Sequence, residues 1–136
     1  MTQDKQLIAL DIGEKRIGVA VADLGVRIAV PVETIAMNEA TFRGDIAQLV
    51  TKYEANEIII GYPRNQSGEP TAQTDYVEAC ASQLEDLDAT VKFQDESLTS
   101  VIAEQRLRAK GGPIQKGDID AEAAAIILND YLEQRT

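Results

Sequence analysis

Three apolar runs of strand length open this chain with almost nothing between them. QLIALDIG (6–13), RIGVAVAD (16–23) and VRIAVPVETI (26–35) are separated by two residues each time. A gap that short closes a hairpin, whereas a parallel neighbour needs a crossover of a dozen residues or more. The first three strands are therefore predicted to form an antiparallel meander. The pattern then changes period. In NEATFRGDIAQLVTKYE (38–54), Phe42, Ile46, Leu49 and Tyr53 recur at spacings of three and four, which predicts a helix. EIII (57–60) reads as a fourth, buried strand ending at Gly61 and Pro63, followed by the polar loop RNQSGEP (64–70). A helix over 71–86 carries Tyr76, Val77, Cys80 and Leu84 on its inner stripe, and TVKFQDE (90–96) is a fifth strand. SLTSVIAEQRLRAK (97–110) is helical and stops at Gly111-Gly112-Pro113; a last helix covers 118–134. The helices after strands three and four are long enough for parallel crossovers. The expectation is an α/β fold: a mixed five-stranded sheet with flanking helices. No repeat, linker or low-complexity tract divides it, so residues 1–136 read as one domain.

Composition narrows the chemistry. The chain has one cysteine, Cys80, and no histidine. Zinc sites of the Cys/His type are excluded, as are Ser-His-Asp and Cys-His nucleophiles. A disulfide within the chain is impossible, which fits a reducing cytosol. Cys80 follows Val77 at helical spacing and reads as a small buried apolar group. No run approaches the roughly 18 apolar residues of a membrane span, and the polar MTQDKQ start does not resemble a signal peptide. A cytoplasmic protein without a membrane partner is expected.

Carboxylates in unusual places carry the functional reading. Asp11 sits between Leu10 and Ile12 inside an apolar strand. A buried carboxylate must be paired, protonated or bound to a cation; a bland alternative is a turn-capping Asp before Gly13. Asp95 and Glu96 end the fifth strand, where alternation puts Val91, Phe93 and Asp95 on one face and Lys92, Gln94 and Glu96 on the other. Taken alone, that pair reads as a solvated strand end or a helix cap. Asp118 and Asp120 open the last helix. Asp118 suits a first-turn charge. Asp120 shares its face with Ala123, Ala124, Ile127 and Tyr131, so it is predicted to point toward the sheet. Three carboxylates brought together would repel one another unless a cation neutralised them. Hard oxygen ligands of this kind suit Mg²⁺ or Mn²⁺, which in pairs activate water and stabilise the leaving oxygen of a phosphodiester without any histidine.

These residues resemble the YqgF, or Holliday-junction-resolvase-like, family of pre-16S rRNA nucleases. The matching segments are LIALDIGEKRIGVAVAD, EIIIGYPRNQSGEPT, VKFQDESLTSVIAE and KGDIDAEAAAIILNDYLE, in the family's order over nearly the whole chain. The resemblance implies a ribonuclease-H-like fold with strand order 3-2-1-4-5. It implies Asp11, Glu96 and Asp120 as catalytic, metal-binding acids holding Mg²⁺ or Mn²⁺, two ions in all. It also implies bacterial cytoplasm and trimming of the 5′ end of precursor 16S ribosomal RNA within pre-ribosomal particles. Whether Asp95 or Asp118 shares the metal site is left open. One departure is visible: the family's Asp-Glu-Arg after strand five reads Asp95-Glu96-Ser97 here, so if that Arg grips phosphate this chain manages without it or borrows Lys92, Arg106 or Lys116. In the implied order, strands one and five flank strand four, their axes roughly 10 Å apart. A metal pair spans much of that gap, provided strand four ends without a bulky side chain, and it ends at Gly61.

The net charge of −10 argues against a nucleic-acid ligand until its distribution is considered. Arg106, Arg108, Lys110 and Lys116 follow one another with no acid between them. Lys15 and Arg16 follow Asp11; Arg64 and Asn65 follow strand four. Lys15, Arg16, Arg64, Asn65, Arg106 and Lys116 are the expected nucleic-acid contacts, a basic rim around an acidic centre, and the Gly111-Gly112-Pro113 segment is a candidate substrate-gripping loop. Binding is expected to be weak and salt-dependent, with little sequence readout. Three rival readings remain. Asp-Ile-Gly before a hairpin also opens actin-like ATPases and sugar kinases, but those need a second domain. A non-catalytic ribosome-maturation factor would keep the fold and the acids. A structure-specific DNA junction resolvase would take branched DNA and need two symmetric sites, hence a dimer, whereas RNA trimming is compatible with a monomer or weak homodimer.

Overall fold

The computed structural model describes residues 5–63, 71–96 and 99–134. The elements run β1 (Gln6–Ile12), β2 (Arg16–Asp23), β3 (Val30–Ala36), α1 (Phe42–Lys52), β4 (Glu57–Pro63), α2 (Ala72–Ser82), β5 (Thr90–Glu96), α3 (Thr99–Lys110) and α4 (Lys116–Gln134). They build one five-stranded sheet in the order β3-β2-β1-β4-β5. The meander is as predicted: β1 pairs with β2, and β2 with β3, both antiparallel. The α1 and α2 crossovers make β1–β4 and β4–β5 parallel.

Alternation along β1 explains the two cores. Ile8, Leu10 and Ile12 face α1 and α2, where they meet Phe42, Ile46, Leu49, Val77 and Cys80. Leu7 and Ala9 face the other way, against Ala124, Ile127 and Leu128 of α4. The sheet is thus buried on both sides, which is why its central strands read as continuous apolar runs. Small residues on the α4 side let that helix lie close; α3 packs outside it through Ala103 against Ala123 and Ile126. Cys80 is buried, as its spacing indicated.

Several element boundaries differ from the sequence reading. The third strand begins at Val30, not Val26. Asp23 stops it: its carbonyl accepts the Arg27 N–H at 2.7 Å, its carboxylate accepts the Gly25 N–H at 2.6 Å, and Arg27 turns the chain at φ 63°. Val26 and Ile28 are therefore exposed rather than part of the sheet. Helix α1 starts at Phe42 because the Asn38 side chain accepts the Ala40 N–H and holds a turn there. Strand β4 continues through Gly61 to Pro63, paired along its whole length with β5. Helix α2 ends at Ser82 rather than at 86, and α4 starts at Lys116, two residues early. No helix among the described residues is long and apolar enough to cross a membrane.

Candidate active site

Side-chain alternation puts Asp11 on the α4 face of the sheet, at the carboxyl end of β1, one step beyond the Leu10–Ile60 pair. That step brings it level with Gly61 of β4. Glu96 ends β5, which runs parallel to β4 on the other side. Its carboxylate folds back over Gly61: a Cβ added there would lie 2.3 Å from Glu96 Oε2 and 2.6 Å from Ile127 Cδ1. Gly61 is thus the clearing between two strands that lets their acids approach, although it lies inside β4 and not at its end. Strand alternation also distinguishes Glu96 from Asp95. Gln94 and Glu96 turn toward α4, while Asp95 is exposed on the opposite side.

The third acid comes from α4. Gly18 in β2 meets the helix backbone directly, and a Cβ there would stand 1.9 Å from the Asp120 carbonyl oxygen. Only glycine permits that approach. Thr34 adds a tie, its hydroxyl donating to the Gly117 carbonyl at 2.5 Å. Asp118 does the bland job its position suggested, accepting the Gln115 N–H at 3.0 Å in the first turn of α4. Asp120 points at the sheet as its helical face predicted, and Arg16 Nε donates to its Oδ2 at 2.6 Å.

The electrostatics reflect this crowding. Burial, and then the neighbouring Asp120 charge, push Asp11 up to about 7. Burial, and then the Asp11 charge, push Glu96 up to about 8. Glu96 Oε2 finds no hydrogen-bond partner among the described residues. Asp11 therefore stands between two acids, near Glu96 on one side and Asp120 on the other. As placed, with Asp120 turned to Arg16, no three acidic, thiol or imidazole groups among the described residues stand close enough to hold one ion together. The Asp11–Glu96 pair nonetheless has the properties a cation would satisfy: all-oxygen donors, partial burial, mutual repulsion and an unpartnered oxygen.

The expected basic rim is only partly assembled. Arg16 and Lys110 line one groove of about 680 Å³ between β3 and the α3–α4 pair, together with Thr34, Gln115, Asp118 and Glu122. Lys15 and Lys116 are exposed. Arg106 and Lys110 flank the buried Glu122 carboxylate at 3.9 and 3.8 Å, so part of their charge is engaged there. Lys92 pairs with the buried Glu57 at 2.7 Å, which commits it to the fold. Arg64, Asn65 and Ser97 lie outside the described residues. Gly111 and Gly112 turn the chain between α3 and α4 at φ 81° and 84°, with open space where side chains would be. Sequence reasoning missed two features: Gly18 as the seat of Asp120, and Arg16 as its ion partner. An isolated glycine inside an apolar strand is the signal for the first. Nothing local announces the second.

Comparison with known proteins adds an independent line. The family model described as "RuvX: Holliday junction resolvase" matches residues 5–134. A protein of Chloroflexus aurantiacus named "Putative pre-16S rRNA nuclease" is 42% identical over 136 residues, covering 97% of this chain and 89% of its own length. A protein of the same name from Fusobacterium nucleatum is 36% identical over 138 residues, covering 96% and 99%. Among solved structures, Thermus thermophilus RuvC in complex with a Holliday junction substrate superposes with a TM-score of 0.59 at 13% identity, over 96% of this chain and 95% of that one. Fowlpox virus resolvase, solved with Holliday junction DNA, gives 0.55 at 10% identity, over 96% and 98%. At such identities the structural likeness speaks for the fold, which is that of the RuvC-like ribonuclease-H resolvases.

Proposed function

Because the chain belongs to the RuvX family of Holliday junction resolvases, we propose that it is a divalent-metal-dependent nuclease, one domain over residues 1–136, that hydrolyses phosphodiester bonds in cytoplasmic RNA. The substrate favoured is precursor 16S ribosomal RNA, trimmed at its 5′ end; the relatives' names, which specify a pre-16S rRNA nuclease, support the RNA but do not name the end. The observation that carries the reading is the Asp11–Glu96 pair over Gly61, with Asp120 beside Asp11. Two acids pressed together under partial burial, one with an oxygen that has no hydrogen-bond partner among the described residues, cost the fold stability that a hydrophobic pair would not. Structural economy gives no reason to keep them; ligation of Mg²⁺ or Mn²⁺ does.

Asp11, Glu96 and Asp120 are the proposed ligands, with two ions at full loading. The bound ions would supply an activated water at neutral pH and charge neutralisation on the leaving oxygen. Asp11, between the other two acids, would contribute its carboxylate to holding the ions. Glu96 holds its proton near neutrality, so ion binding and proton release at its carboxylate are linked. Arg16 and Lys110, with Lys15 and Lys116 outside them, would hold backbone phosphates along the α3–α4 groove. Such contacts position a strand without reading its bases.

Branched DNA is the second reading, favoured by the description of the family and by the two junction-bound neighbours. It requires a dimer with two symmetric sites; RNA trimming requires only a monomer. The deciding experiment incubates the protein with Mn²⁺ or Mg²⁺ and compares cleavage of single-stranded RNA, precursor 16S rRNA and four-way junction DNA, with D11N as control. Precursor cleavage that D11N abolishes supports the proposal. Junction cleavage alone supports the second reading. Trimming that survives in D11N overturns the catalytic role of the acids.

A further inference from the structure

Asp120 differs from Asp11 and Glu96 in already holding a cation. The Arg16 guanidinium donates to it at 2.6 Å, and both side chains are partly buried, at 37% and 20% exposure. The two backbones are fixed independently of that bond. Arg16 lies in β2, its carbonyl accepting the Gly13 N–H at 2.9 Å and its residue paired with Ala36 of β3. Asp120 is seated on Gly18 by direct backbone contact. What remains free to change is the side-chain pairing. Arg16 also lines the groove that holds Lys110, so its head group stands where a chain of phosphates would run.

We propose that Arg16 is a latch on the metal site: it occupies the Asp120 carboxylate in the free protein and exchanges it for a backbone phosphate when nucleic acid enters the groove, so that substrate and divalent ion load together. This rests on the metal reading given above. The physics of the exchange is favourable. A guanidinium pairs as well with phosphate as with carboxylate, through the same planar donors. A partly exposed ion pair is worth little net, so the latch is releasable rather than permanent. The pairing also accounts for the geometry: Asp120 lies close enough to raise Asp11, yet the three acids do not form a ready-made cage. Arg16 makes the protein a poor metal binder when no substrate is present. By linkage, whatever RNA does for metal affinity, metal must do for RNA affinity.

The test measures Mn²⁺ binding to the full chain by the loss of the free-ion EPR signal, with and without a single-stranded 2′-O-methyl phosphorothioate RNA whose integrity is checked on a gel after each titration. Without RNA, R16Q is expected to bind Mn²⁺ on the order of fivefold more tightly than the wild type. The control K5Q removes the same charge from an exposed position at the opposite end of β1 from Asp11 and is expected to change affinity by less than about twofold, because an exposed charge is screened. RNA is expected to tighten Mn²⁺ binding in both proteins, because its phosphates face the ions, but severalfold more in the wild type than in R16Q. An R16Q affinity equal to or weaker than wild type overturns the latch, as does an RNA effect that is as large in R16Q as in the wild type or is absent from the wild type. Should R16Q fail to fold by circular dichroism, R16K keeps the charge while losing the Nε contact, and must move in the same direction. Mn²⁺ that binds neither protein under any condition defeats the metal reading itself. Unchanged binding in both defeats only the latch.

Discussion

Asp11→Asn tests whether the acidic site costs the fold stability. A carboxyl that titrates near 7 when folded and near 4 when unfolded binds its proton more tightly in the folded chain. The sign follows: its favourable contribution is complete below the unfolded value and is lost as pH rises through the folded one. Glu96, pushed up to about 8, behaves in the same sense. For a group displaced by about three pH units the ceiling is roughly 4 kcal/mol. Both side chains keep some solvent contact and share one repulsion, so that ceiling is not reached twice. Removing one member of the pair is expected to recover about 2 kcal/mol at pH 8 and less than about a third of that at pH 4.5, where both acids are protonated in the folded chain and the unfolded carboxyls have only begun to ionise. In a chain of this size that is a rise in Tm of roughly 8 °C. The assay is thermal denaturation followed by circular dichroism, with chelator present, at the two pH values. Adding Mg²⁺ is expected to stabilise the wild type at pH 8 and to do much less for D11N. A D11N protein less stable than wild type at pH 8 would refute the reasoning, because the carboxylate would then be a supporting contact and not a strained one.

Three further outcomes follow from the same geometry. G61A places a methyl group 2.3 Å from Glu96 Oε2 and 2.6 Å from Ile127 Cδ1, and is expected to cost about 1–3 kcal/mol in urea denaturation and to abolish Mn²⁺-dependent cleavage; G18A collides with helix backbone instead of a movable side chain, so its cost should be the larger of the two. Cleavage at subsaturating Mg²⁺ should rise as pH increases through 7 to 8, since protons compete with the ion at Asp11 and Glu96, and the midpoint should fall as Mg²⁺ is raised; a flat profile contradicts this. If about three phosphates are held, affinity for single-stranded RNA should fall on the order of twentyfold between 50 and 200 mM salt, and salt-independent binding would remove the groove from the account.

The architecture was legible because its signals are local. Connections too short for a crossover dictated the meander, even though the second proved six residues long and not two, and the change of apolar period at Phe42 marked the first crossover helix. Asp11 stood out because a carboxylate among Leu10 and Ile12 violates the pattern of its own strand, and Asp120 because it continues the packed stripe of α4. Glu96 was harder. Asp95 has the same chemistry one residue away, and only the strand's alternation, seen against α4, separates them. The start of β3 was misread because Val26 and Ile28 look like strand residues while Asp23 and Arg27 turn the chain away from the sheet. The Arg16–Asp120 pair was illegible for a different reason: its partners are 104 residues apart, and an arginine after a turn resembles any solvated cation. Tertiary packing alone decides that contact. Gly18 lies between these cases, a visible strand glycine whose purpose appears only when α4 is laid across it.

The central claim is that Asp11, Glu96 and Asp120 share divalent ions. Anomalous diffraction at the manganese edge tests it most directly, from crystals grown with Mn²⁺ and an uncleavable RNA. The account predicts manganese peaks within about 2.5 Å of carboxylate oxygens of Asp11 and Glu96, with Asp120 released from Arg16 to join them. Crystals that bind the RNA but show no manganese at these side chains, with Asp120 still held by Arg16, would contradict it.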